Sequence, residues 1–162
     1  MRNERKEYIT RAEMLRIARK CTNWHARALI RLALYSGMRL GEIMSIGHTS
    51  KIVEGGFHLV DTKNDDDRFA PLHPKAAVVC KFLPIPWSKI WMQRCVREAM
   101  DAAGFTKLRL HDLRHSTASN LINAGADFYT VGAVLGHKDA RSTKRYSHLA
   151  KQTLNNAILK IR

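Results

Sequence analysis

Apolar residues recur at intervals of three and four through most of this 162-residue chain, and that spacing predicts a mainly helical fold. Thr10 and Glu13 form a capping-box pair ahead of "AEMLRIARK", so a first helix is expected to start there and run to about Cys21. A second follows Asn23, where "WHARALIRLALYSG" places Ala28, Leu29, Leu32 and Ala33 on one face and meets Gly37, a residue suited to a helix end. "RLGEIMSI" can begin another turn of helix, which puts Arg39 at a helix junction.

The pattern then shortens. "KIVEGGFHLVDTK" carries β-prone runs around a Gly-Gly turn, and "NDDD" supplies a second turn before "RFAPLH", so a small three-stranded antiparallel sheet is expected. Pro71, Pro74, Pro84 and Pro86 punctuate the way out, and helical spacing resumes from Ser88 through Ala103, ending at Gly104. Four more helical segments are expected. "LHDLRHSTASNLINAG" ends at Gly125, "DFYTVGAVLG" runs from an Asp127 cap to Gly136, Asp139 caps "ARSTKRYSH", and "KQTLNNAILKIR" forms an amphipathic tail. The predicted fold class is α+β, mainly α-helical with a small three-stranded antiparallel sheet, in one compact unit without internal repeats.

Charge narrows the partners. Against 14 Asp and Glu stand 28 Lys and Arg, a formal charge of +14, and an excess of that size favours a polyanion, nucleic acid first. The three cysteines, Cys21, Cys80 and Cys95, form no C-x-x-C pair, which speaks against a disulfide framework or a cysteine zinc site and for a reducing, intracellular compartment. "MRNERKEYIT" lacks the apolar core of a signal peptide. The most apolar stretch, Ala26 to Met38, is broken by Arg27 and Arg31, so no membrane span is expected.

The decisive stretch is "LRLHDLRHST", Leu108 to Thr117, which admits two incompatible readings. His111 and His115, four apart, could share a zinc ion with Asp112 as a base. Against this, the acid is Asp instead of the longer Glu, Arg114 places a fixed positive charge on the same face, and no third ligand stands out. The same helix suits an anion. His111 and Arg114, three apart, project together from its first turns, where backbone N–H groups and the helix dipole favour negative charge. A guanidinium offers phosphate a planar fork of donors, and a neighbouring imidazole can move a proton near neutral pH. Taken alone, the pair could equally be an Arg salt-bridged to Asp112 beside a surface His.

Companions favour the anion. "SGMRLGEI" around Arg39, "DTK" at Lys63, "HDLRH", "LGHKDARST" at His137 and "KRYSHL" at Tyr146 occur in that order. Together they make the chain resemble the tyrosine recombinase (phage integrase) family over essentially its whole length. Residue by residue, Arg39 and Arg114 match the family's paired arginines, Lys63 the lysine of its β-hairpin, His111 and His137 its two histidines, and Tyr146 its nucleophile. The resemblance implies a site-specific DNA recombinase that cleaves and rejoins strands through a 3′-phosphotyrosine, without a metal or nucleotide cofactor. It also implies that residues 1–162 are a single catalytic domain without the N-terminal arm and core-binding domain that most relatives carry.

Further implications are double-stranded DNA at attachment or recombination sites as partner, a synaptic tetramer on DNA, a C-terminal tail that either docks on a neighbouring protomer or folds back in cis, accessory DNA-bending proteins, and a place in the cytoplasm of a bacterial host. A phage, prophage or other mobile element is the implied source of such an integrase. Two other readings share much of the pattern: a type IB-like topoisomerase, and a DNA-binding remnant that no longer cleaves. Among the other aromatic residues, Tyr35 and Tyr129 are expected in core or half-core positions, and Trp87 and Trp91 in core or interdomain packing. Glu42, one turn beyond Arg39, could orient the Arg39 guanidinium or take part in an exposed helix pair.

Overall fold

A computed structural model describes residues 8–60, 67–136 and 154–161. In chain order the elements are α1 (Arg11–Lys20), α2 (Trp24–Ser36), α3 (Leu40–Ser45), β1 (Lys51–Val53), β2 (Gly56–Leu59), β3 (Arg68–Pro71), α4 (Pro74–Ala77), a 3-10 turn (Cys80–Phe82), α5 (Lys89–Ala102), α6 (Leu110–Asn123) and α7 (Phe128–Leu135). Residues 154–159 are also helical. The architecture is the α+β fold expected, helices around one antiparallel sheet of order β1-β2-β3.

Local chemistry sets most helix boundaries. At α1 the Thr10 hydroxyl accepts from the Glu13 N–H at 3.2 Å while the Glu13 carboxylate accepts from the Thr10 N–H at 2.7 Å, so two otherwise orphaned donors are satisfied reciprocally. Ser88 and Asp127 cap α5 and α7 through their side chains. The helix α2 is apolar on nearly every side and accordingly lies at the centre, packed by α1, α3, α4, α5 and α6. Arg27, which interrupts its apolar run, stays at the rim and donates to the carbonyls of Ala18, Arg19 and Cys21, closing the C-terminal end of α1. Tyr35 is fully buried, with its hydroxyl accepting from Arg11 Nε at 2.9 Å.

The sheet seals one side of this helical core. In β2, Phe57 pairs with Ile52 of β1 and Ala70 of β3, and both Phe57 and Ala70 are fully buried. Residues 61–66, between β2 and β3, and 137–153 lie outside the described residues, so the helix expected after Asp139 is among the segments not described. The C-terminal segment folds back on its own chain. Leu154, Ala157, Ile158 and Ile161 join the buried core, and the His73 side chain hydrogen-bonds the backbone of Ile161. Burial of this apolar face in cis offsets the cost of leaving it in water.

Three local expectations change. Pro74 does not merely break the chain: it occupies the first turn of α4, which His73 caps through Nδ1, since proline's missing N–H and fixed φ suit that position. Trp87 and Trp91 are not core residues. They are 45% and 41% exposed, tilted against each other, with Trp87 Nε1 donating to His25. Tyr129 is likewise exposed instead of half-core. Among the described residues, no helix is long and apolar enough to cross a membrane.

The α2–α3 junction turns at Gly37, two residues before Arg39. Gly37 adopts φ +70°, and a Cβ there would fall 2.6 Å from Leu135 Cδ2 of α7. Gly37→Ala is therefore expected to lose about 1–2 kcal/mol from the left-handed backbone alone, with crowding against Leu135 added. Urea unfolding checks this as a lowered midpoint at unchanged slope.

Candidate active site

Three elements converge where α2 ends. Arg39 is the N-cap of α3, Arg114 lies one turn into α6, and the C-terminal end of α7 closes the third side. Helix α6 is fastened to α2 by Thr117, whose hydroxyl lies 3.0–3.1 Å from the carbonyls of Ala33, Leu34 and Leu113. Three residues earlier, Arg114 is 5% exposed and donates from Nη1 to the Gly37 carbonyl and from Nη2 to the Leu135 carbonyl. One guanidinium thus joins the last carbonyls of two helices. Its five N–H groups leave three for another acceptor.

Arg39 is placed differently. Its side chain is 46% exposed, its backbone N–H donates to Glu42 Oε2 at 2.7 Å, and Nη1 donates to Glu42 Oε1 at 3.2 Å. The same carboxylate takes a bidentate pair from Arg68, with Nε at 2.9 Å from Oε1 and Nη2 at 2.8 Å from Oε2. Four donors saturate the four acceptor sites of the carboxylate. Glu42 thus makes the exposed pair with Arg39 that its spacing allows, and it also holds a second arginine, Arg68, that sequence reasoning passed over. Arg68 also donates from Nη1 to the Val134 carbonyl at 2.9 Å. Its links to Glu42 and Val134 span 26 and 66 residues, so no local pattern announces them. The one available signal was a charged residue at the head of a strand whose later positions are apolar.

Electrostatics tie these groups together. Burial first, then the charges of Arg39 and Arg68, push the Arg114 guanidinium down to about 10, opposed by Glu42, and it remains a cation at neutral pH. Burial alone would raise Glu42, but the hydrogen bonds and charge of Arg68, with those of Arg39, bring it below its ordinary 4.5. His111 is held below its ordinary 6.5 by partial burial, then by His115, Arg114 and Arg39, with Asp112 opposing, so it is neutral at pH 7. Among the described residues the cluster sets three guanidinium groups against one carboxylate, an excess of positive charge.

Asp112 accepts from the Arg109 N–H at 2.7 Å and so caps α6, and Arg114 is not its salt-bridge partner. The His111 and His115 rings meet edge to face with centroids 4.8 Å apart, and among the described residues no group of three His, Cys, Asp or Glu is arranged to hold a metal ion. Arg39, Arg114 and His111 are brought together. Lys63, His137 and Tyr146 lie outside the described residues; Lys63 falls between β2 and β3, and His137 directly follows Gly136. Of the acidic run beside Lys63, Asp67 faces His58 Nε2 across the hairpin at 2.9 Å, in exposed positions.

Residues 85–153, a stretch that contains "HDLRH", His137 and Tyr146, match the model of the phage integrase family. That match makes the chain similar to the tyrosine recombinase (phage integrase) family. It is 29% identical over 152 residues to tyrosine recombinase XerC of Lactobacillus delbrueckii subsp. bulgaricus, covering 79% of this chain and 52% of that protein. The chain thus spans about half the length of such relatives. The fold matches that of the integrase from mycobacterium phage Brujita with a TM-score of 0.79 at 21% identity, over 96% of this chain and 58% of that one. It also matches the lambda integrase catalytic core with a TM-score of 0.67 at 20% identity, over 84% of this chain and 95% of that one.

Glu42 gives this tyrosine recombinase fold a pH dependence of definite sign. Because its carboxyl is depressed on folding, it stabilises the protein fully above the ordinary 4.5, and that stability is lost as the pH falls through the folded value. Glu42→Gln is expected to cost about 1–3 kcal/mol at neutral pH, by leaving Arg68 without its charged partner. The variant should also lose part of the fall in stability expected of the wild type as the pH drops below 4.5, which urea unfolding across that range would read.

Proposed function

We propose that this chain is the catalytic domain of a site-specific DNA recombinase, an integrase that breaks and rejoins DNA through a 3′-phosphotyrosine. The observation that carries this is the convergence of Arg39, Arg114 and His111 around a net positive charge, with Arg114 buried and retaining N–H groups for an acceptor. A phosphodiester accumulates negative charge on its non-bridging oxygens as a fifth oxygen adds, and preorganised guanidinium groups stabilise that charge without reorganising.

In the reaction, the phenolic oxygen of Tyr146 attacks phosphorus, the bond to the 5′-oxygen breaks, and a 3′-phosphotyrosine and a 5′-hydroxyl result. A second strand's 5′-hydroxyl then attacks the phosphotyrosine and releases the phenol. The ester bond is exchanged and not hydrolysed, so no nucleotide triphosphate is required. A phenol with an ordinary pKa of about 10 is roughly one part in a thousand ionised at pH 7, so it needs a base. His111, neutral at that pH, is the base; Lys63 protonates the departing 5′-oxygen, and His137 hydrogen-bonds a non-bridging oxygen.

The substrate is double-stranded DNA, in the cytoplasm of a bacterial host, for integration or excision of a phage or mobile element. Lambda integrase, whose catalytic core shares this fold, is known as a tetramer bound to a Holliday junction. By analogy a tetramer on DNA, assisted by DNA-bending proteins, is the working assembly. Its use of the C-terminal tail in trans would require that residues 154–161 leave their cis seat.

Nicked suicide duplexes randomised around the nick test this directly. The expected result is a covalent protein–DNA adduct that Tyr146→Phe abolishes and that Arg39→Ala or Arg114→Ala slows by roughly 10²–10³. DNA binding without adduct would identify a non-cleaving remnant. Since His111 is depressed in the folded protein, the acid limb of adduct formation should have its midpoint below 6.5 and disappear in His111→Gln.

A further inference from the structure

Arg68 heads β3 with its side chain 15% exposed, and its guanidinium ties that strand to two helices. Nε and Nη2 grip both oxygens of Glu42 in the first turn of α3, and Nη1 holds the Val134 carbonyl near the end of α7. Its stem packs on Gly136, where φ is +69° and a Cβ would fall 2.5 Å from Arg68 Cδ and Nε. Glycine at 136 therefore makes room for this arginine as well as turning the chain. Through Glu42 the grip extends to the backbone and side chain of Arg39, and the charge of Arg68 is felt at Arg114.

We propose that Arg68 is a positioning residue that locks the hairpin strand, the Arg39 junction and the turn leading into His137 into one rigid unit, so that these parts meet the scissile phosphate together. The inference rests on the recombinase reading above. Three of its five N–H groups, one on each nitrogen, are committed to Glu42 and Val134, and its side chain is far less exposed than that of Arg39, which favours a role in holding these elements over a direct phosphate contact. The planar fork matters: a lysine ammonium carries the charge but cannot present parallel donors to both Glu42 oxygens while reaching Val134.

Adduct formation from the nicked pool, followed in single turnover at saturating DNA, separates this role from others. Arg68→Gln is expected to slow the step by about 10–100-fold, as small displacements of reacting groups do, while the DNA concentration for half-saturation is unchanged. Arg68→Lys should be intermediate, and Arg68→Gln combined with Glu42→Gln no slower than the slower single variant. An unchanged rate in both Arg68 variants overturns the proposal. So does a weakened half-saturation whose salt slope falls by about one, the mark of a direct phosphate contact. Should Arg68→Gln fail to fold, Arg68→Lys carries the comparison alone.

Hydrogen exchange of the DNA-free protein distinguishes failure of the clasp from failure of the recombinase reading. Faster exchange of the Val134, Leu135 and Gly136 amides in Arg68→Lys supports the clasp even where the wild type forms no adduct, an outcome that would defeat the recombinase reading instead. Exchange indistinguishable from wild type overturns the clasp.

Discussion

A guanidinium buried at the meeting of two helix ends is the constraint around which this protein is built. Taking an isolated cation out of water costs several kcal/mol even after the protein relaxes, and Arg114 has no carboxylate of its own to offset it. What it has are the carbonyls of Gly37 and Leu135, at the C-terminal ends of α2 and α7, where the helix dipoles place partial negative charge. Moving either helix end away would strand the charge. The packing of α2, α6 and α7 is therefore coupled to the electrostatics of the site.

The balance of charge follows from the same arrangement. A second carboxylate at Arg114 would lower the net positive charge of the pocket and compete with an anion for the remaining N–H groups. Instead one carboxylate, Glu42, is shared between Arg39 and Arg68 and set beside Arg114, which keeps the cluster intact while leaving it net positive. Partial burial first, and then the neighbouring His115, Arg114 and Arg39, hold His111 below its ordinary 6.5, so its imidazole is in the form that can accept a proton at neutral pH.

Much of this was legible in the sequence because its signals are local. Thr10, Ser88 and Asp127 mark helix starts, Gly37 and Gly136 mark ends, and alternation around Gly55-Gly56 gives the sheet. The spacing of His111 and Arg114 places both on the first turns of α6, and the structure adds Arg39 to them. Long-range relations were not legible. Arg68 acquires its partners from α3 and α7, and the exposure of Trp87 and Trp91 depends on what covers α5, which helical periodicity does not encode. Pro74 was misread because proline breaks a helix interior but suits its first turn.

A structure of the chain bound to nicked duplex DNA tests the central claim most directly. The account predicts a backbone phosphate whose non-bridging oxygens accept from Arg39 and from the remaining N–H groups of Arg114, with the His111 ring beside it. A phosphate held elsewhere on the basic surface, with the Arg114 guanidinium still touching nothing beyond the Gly37 and Leu135 carbonyls, would contradict it.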